Sequence, residues 1–84
     1  MSDKPTDFRF LSPLHDVSVI ARGRRLRVRW YLQDRYGRGN WRKMKGFARI
    51  EEDNGYIGDA EIHWYEAHGV GRFEWKIKDR LEKR

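Results

Sequence analysis

The sequence predicts a mainly β domain: about five antiparallel strands running up and down, in a sheet that curls toward a small half-open barrel. Three observations carry this. Apolar residues recur with period two in several short runs, glycine-rich and Asn-Gly turns separate those runs, and no segment before the last shows an amphipathic helical stripe.

Taken in order, residues 1–7 read as a polar, disordered tail, 8–80 as one β-rich domain and 81–84 as a frayed end. Phe8 to Leu14 is apolar enough to pack on the core, and Pro13 makes it an edge strand or an ordered loop. From Asp16, Val17, Val19 and Ala21 alternate with Ser18, Ile20 and Arg22, and Gly23-Arg24 supplies a turn. Leu26, Val28, Trp30 and Leu32 then alternate with Arg25, Arg27, Arg29 and Tyr31, the clearest half-buried strand by pattern. Asp34 to Asn40 has loop chemistry. A third strand covers Trp41–Ile50. Asp53-Asn54-Gly55-Tyr56 is a hairpin turn, because Asn-Gly accepts the positive φ angles of a two-residue type I′ loop. A fourth strand runs from Tyr56 to Tyr65, with a bulge expected at Gly58. After the His68–Gly71 turn, Phe73, Trp75 and Ile77 alternate again. Phe73, Ile77 and Leu81 also share helical spacing, so a strand to Lys78 followed by a short helical turn or a frayed tail is expected.

Eighty-four residues suffice for one domain. A chain this short buries only roughly 60% of its unfolded surface. It has no cysteine, so no disulfide or thiolate–zinc site supports it, and the core must rest on four Trp, four Tyr and four Phe. The polar, acidic start argues against a secretory signal, and no run approaches the roughly 18 apolar residues of a membrane span. A soluble cytoplasmic protein is the expectation, with no membrane partner, cofactor or metal.

Charge is divided along the chain. Between Arg22 and Arg49 stand eleven Lys or Arg and one acid, Asp34; between Ile50 and Gly71 stand six acids and no Lys or Arg. If 25–32 is a strand with Trp30 inward, Arg25, Arg27 and Arg29 point outward together, and like charges at that spacing repel. A phosphate backbone would supply their counterions. Arg35, Arg38, Arg42, Lys43 and Lys45 would widen the surface, and Tyr31, Tyr36 and Trp41 would stack on unpaired bases. RNA or single-stranded DNA is the partner this pattern favours. The competing account is a solvated face neutralised by the acidic strand. A two-residue hairpin would place Lys43 opposite Glu66, Lys45 opposite Trp64 and Phe47 opposite Ile62, which explains Lys43 and leaves the arginine face without an acid.

Lys45-Gly46-Phe47-Ala48-Arg49-Ile50 matches the opening of the first ribonucleoprotein motif, yet Arg49 and Glu52 stand where that motif needs stacking aromatics. His63, Glu66, His68 and Arg72 gather acid–base and cationic groups of the kind a metal-independent ribonuclease or toxin would use. Strand alternation makes His63 and His68 diverge unless a bulge intervenes. Neither zinc spacing, a Walker loop nor a nucleophile elbow is present.

The run from Ala60 to Gly71, Ala-Glu-Ile-His-Trp-Tyr-Glu-Ala-His-Gly-Val-Gly, followed by Lys76-Ile77-Lys78, resembles the C-terminal signature of a group of small uncharacterised bacterial proteins. The resemblance implies a natural domain whose glycine turn matters, and no activity. In architecture the chain is similar to small SH3-like barrels, a likeness of fold alone. Three readings follow: an RNA-binding module, an interaction or structural domain meeting an acidic protein or a second copy of itself, and a ribonuclease. Oligomeric state is left open.

Overall fold

The structure, a computed structural model, describes residues 3–82. Its backbone is a meander of three long strands, β3 (Arg42–Glu52), β4 (Ile57–Ala67) and β5 (Gly71–Arg80), preceded by β1 (Phe8–Phe10) and β2 (His15–Arg22). All pairings are antiparallel, and the five strands form a curled half-barrel, as the sequence predicts. Among the described residues no helix is long and apolar enough to cross a membrane.

The β3–β4 hairpin departs from the two-residue loop by one residue. Glu52 N–H donates to Tyr56 O at 2.8 Å and Gly55 N–H donates to Glu52 O at 3.0 Å, closing a three-residue turn with Gly55 at φ 98°. That is the left-handed position a three-residue hairpin assigns to glycine. The extra residue slips every pair: Arg42 faces Glu66, Lys43 faces Tyr65, Lys45 faces His63 and Phe47 faces Glu61. The Lys43–Glu66, Lys45–Trp64 and Phe47–Ile62 pairs are thereby corrected. Nor does Gly58 mark a bulge in this ladder; it pairs with Ile50 in unbroken register. It is glycine because Tyr56 folds over it, and a Cβ there would stand 2.6 Å from the Tyr56 hydroxyl.

β1 and β2 lie end to end along the same outer edge of β3. Phe10 pairs with Ile50 and His15 with Phe47; residues 11–14, containing Pro13, form the break between them. On one face of the sheet Phe8, Met44, Ala48, Ile50, Ala60, Ile62 and Trp64 are buried together, with Trp75 stacked on Trp64 at 5.0 Å. Gly46 admits this packing, since a Cβ would meet the Trp64 ring at 3.1 Å.

Residues 25–32 are not a strand. Gly23–Arg25 forms a 3₁₀ turn and Arg29–Tyr36 an α-helix, α1, which ends where Gly37, at φ 127°, donates its amide to Gln33 O. Period two mispredicts this segment for two reasons. Its residues also satisfy helical spacing, with Leu32 and Tyr36 one turn apart on the inner side, and Arg, Leu and Gln are good helix formers. In addition, β3 has no free edge beside it, because residues 8–22 already occupy that edge. Leu26 and Leu32 are buried as expected, but Trp30 is 68% exposed. With Trp41 and Ala67, the two leucines make a second small core, completed by Tyr36, Tyr65, Val70 and Phe73.

Phe73 and Trp75 enter different cores although both are odd-numbered. Glu74, at φ 60°, is the extra residue that flips the faces between the Tyr65–Phe73 and His63–Lys76 pairs. β5 stays extended to Arg80, so no helical turn follows Lys78, and Leu81 N–H still donates to Asp59 O at 2.9 Å. At the other end Asp3 is tied to β5: its amide donates to Arg72 O, its side chain accepts from Glu74 N–H and its carbonyl accepts from Trp75 Nε1–H. The expected free tail and frayed end otherwise include residues 1–2 and 83–84, which lie outside the described residues.

Candidate nucleic-acid interface

One row of directly opposed residues crosses the sheet at the α1 end: Arg22 on β2, Arg42 on β3, Glu66 on β4 and Arg72 on β5. Two arginines facing each other across an antiparallel pair repel. Glu66 compensates in part. Its Oε2 accepts from Arg42 NH2 at 2.7 Å, while Oε1 accepts from buried Trp64 Nε1–H at 2.8 Å and lies 3.6 Å from Arg72 Nε. The single carboxylate meets two guanidiniums and an indole.

Arg22 and Arg42 also mark where the chain leaves and re-enters the sheet. Residues 23–41 make an excursion closed by that pair, and the excursion folds back to form a cleft of about 560 Å³ lined by Arg22, Arg29, Trp41, Arg42 and His68 together with Gln33 and Asn40. Arg29 and Gln33, one helical turn apart, present the same side of α1 to it. Among the described residues no carboxylate lines the cleft. Among the described residues the buried Arg42 Nε–H finds no acceptor. A buried donor in this state is costly. Beside the cleft, the Arg29 guanidinium lies 5.2 Å over the exposed Trp30 ring.

The residues singled out from the sequence are thus redistributed. Of the arginine stripe, only Arg29 lines the cleft; Arg25 sits in the 3₁₀ turn and Arg27 in the following turn, both exposed. The single charged face on a strand does not exist. Arg42 joins Arg29, whereas Lys43 and Lys45 project from the opposite face of β3 beside Tyr65 and His63. Arg35 and Arg38 are exposed on α1 and in the loop after it. Two expected stacking residues are unavailable. Trp41 is 3% exposed and donates Nε1–H to Gly37 O, and Tyr36 is stacked on Phe73 at 4.1 Å. Tyr31 is half-exposed with its hydroxyl on Glu74. The residue missed was Trp30, assigned to the core by period two. Reading α1 as a helix would have placed it outward, opposite Leu32 and Tyr36.

The acid–base quartet is split. His68 lines the cleft and Glu66 contacts Arg72, but His63 lies on the other face, its Nε2 2.6 Å from Glu61 Oε2. Glu66 is committed to Arg42 and Trp64. In β3, Arg49 is paired with Glu82 at 3.0 Å, at the place where a ribonucleoprotein motif needs an aromatic. Among the described residues no three His, Asp or Glu side chains converge as metal ligands. No protein-family model, curated protein or solved structure matches the chain.

Proposed function

We propose that the chain binds single-stranded nucleic acid, RNA in particular, with Arg22, Arg29, Arg42 and His68 receiving backbone phosphates and Trp30 stacking on a base. The observation that carries this reading is the cleft itself. Sheet pairing holds Arg22 against Arg42, α1 adds Arg29, and among the described residues one of the three has a carboxylate partner. Phosphates would supply the missing counterions. An exposed Trp next to such a cleft offers a π-face that any base can use, and base–aromatic stacking contributes about 1–3 kcal/mol.

The test is fluorescence anisotropy with a labelled ribo-oligonucleotide across a salt series. Three arginine–phosphate contacts to a single strand give a log–log salt slope of about −2. Trp30→Ala should weaken binding about fivefold or more, and the double variant Arg22→Glu with Arg29→Glu should abolish it. Wild-type affinity in both variants overturns the reading. So does equal competition by polyglutamate that does not depend on Trp30, which would identify an acidic protein partner instead.

A further inference from the structure

The other face of the sheet carries a second set of cations with a different character. Lys43 on β3 and Lys76 and Lys78 on β5 flank His63 and Tyr65 of β4, and together they line a cleft of about 280 Å³ that Glu74 closes at one side. Register explains the convergence. His63 stands between Lys45 and Lys76, Tyr65 stands between Lys43 and Phe73, and the irregularities in β5 bring Lys76 and Lys78 toward the same opening.

Five arginines of the sheet are partnered: Arg9 with Glu51, Arg42 and Arg72 with Glu66, Arg49 with Glu82 and Arg80 with Glu52. Lys43, Lys45, Lys76 and Lys78 have no ion-pair partner among the described residues. Two of the acids nearby are already engaged, and a third, Asp79, stands opposite Glu61 on β5. Glu61 is bonded to His63, and Glu74 Oε2 accepts hydrogen bonds from the hydroxyls of both Tyr31 and Tyr36. Tyr65 is half-buried and makes no side-chain hydrogen bond among the described residues, so its hydroxyl is an unused donor in the cleft. Burial, and the charge of Glu74 after it, push the Tyr65 phenol above its ordinary value, which keeps the donor protonated.

We infer that Lys43, His63, Tyr65, Lys76 and Lys78 form a separate binding site for a phosphate group. Several cations around one neutral O–H donor, in a space of a few hundred cubic ångströms, suit a compact, multiply charged oxyanion better than a single carboxylate. A free phosphomonoester-type ion carries that charge on one group; a diester of a strand bound at the α1 cleft presents the same non-bridging oxygens with a single charge. The site does not require the nucleic-acid reading. It adjoins it, because Glu74 joins the lysine cleft to Tyr31 of α1.

The experiment is a pair of NMR titrations, reading the His63 ring, the Tyr65 amide and the lysine side chains. Inorganic phosphate is one probe; a short ribo-oligonucleotide without terminal phosphates is the other. Saturable shifts at His63, Tyr65, Lys43, Lys76 and Lys78 that Lys76→Glu weakens about tenfold or more establish the site, and those given by inorganic phosphate are unaffected by Arg29→Glu. With inorganic phosphate alone they assign it to a free ligand, and with the oligonucleotide to a diester. Failure of the oligonucleotide at Trp30, with phosphate shifts at His63 retained, removes the nucleic-acid reading and leaves this one. Absent shifts with both probes, or uniform unsaturable shifts at every lysine, overturn it. Lys76 is exposed, so Lys76→Glu keeps the fold, and its unchanged amide spectrum away from β5 verifies this.

Discussion

Glu52 and Arg80 are joined by two hydrogen bonds of 2.5 Å, from Nε to Oε2 and from NH2 to Oε1, across the end of the sheet far from α1. The Glu52 side chain is 7% exposed and that of Arg80 47%. A carboxylate this buried needs its partner, and the planar guanidinium meets both of its oxygens. The bond from Arg80 holds the Glu52 carboxyl below its ordinary value of 4.5.

Removing that partner should therefore cost more than an ordinary surface pair. Arg80→Ala is expected to lower unfolding free energy by about 2–3 kcal/mol in denaturant titrations, and Arg80→Lys to recover part of it. Because the native carboxyl titrates lower than the unfolded one, the pair contributes fully above the ordinary carboxylate range. Its contribution is lost as pH falls through the lowered native value. An Arg80→Ala variant with the wild-type midpoint and acid profile would show the pair to be inert.

Glu66→Gln should separate stability from binding. The glutamine can keep an acceptor for Trp64 Nε1–H but loses the charge that offsets Arg42, so about 1–2 kcal/mol of stability is expected to go. The same change removes the only acid in the arginine row and should tighten oligonucleotide binding a few-fold with a steeper salt dependence. Unchanged affinity in Glu66→Gln, measured by the same anisotropy assay, would place the bound strand away from that row.

The anchoring of α1 should be alkali-sensitive. Donation to Glu74 pushes the Tyr31 phenol up to about 12 from its ordinary value of 10.0; Tyr36 is raised by burial and then by the same carboxylate. A raised phenol stabilises the native form while protonated, so the contribution is complete below pH 10.0 and disappears as pH climbs toward about 12. Near-ultraviolet circular dichroism should lose the α1 aromatic signature over that interval. Tyr31→Phe should remove the late-titrating phenol from a tyrosinate absorbance curve. A curve that loses only an ordinary tyrosine would sink this assignment.

Sequence alone determined the long β3–β4–β5 meander, the paired glycine turns, the aromatic core and the concentration of positive charge between Arg22 and Arg49. These are local properties. Alternation, turn chemistry and composition are set by neighbours in the chain, and alternation held in β3 and β4, which are flanked on both sides by other strands. Tertiary structure decided the rest. Whether 25–32 became strand or helix depended on residues 8–22 taking the outer edge of β3. A single extra residue in the Gly55 turn set which of Arg42 and Lys43 met Glu66, and a left-handed Glu74 sent Phe73 and Trp75 to opposite faces. Each outcome depends on competition for an edge or on the parity of one residue, so a local pattern carries no record of it. The same parity put Arg42 in a row with Glu66 and put Lys43 and Lys45 on the face of Tyr65 and His63, while the helical turn of α1 left Trp30 in solvent rather than in the core.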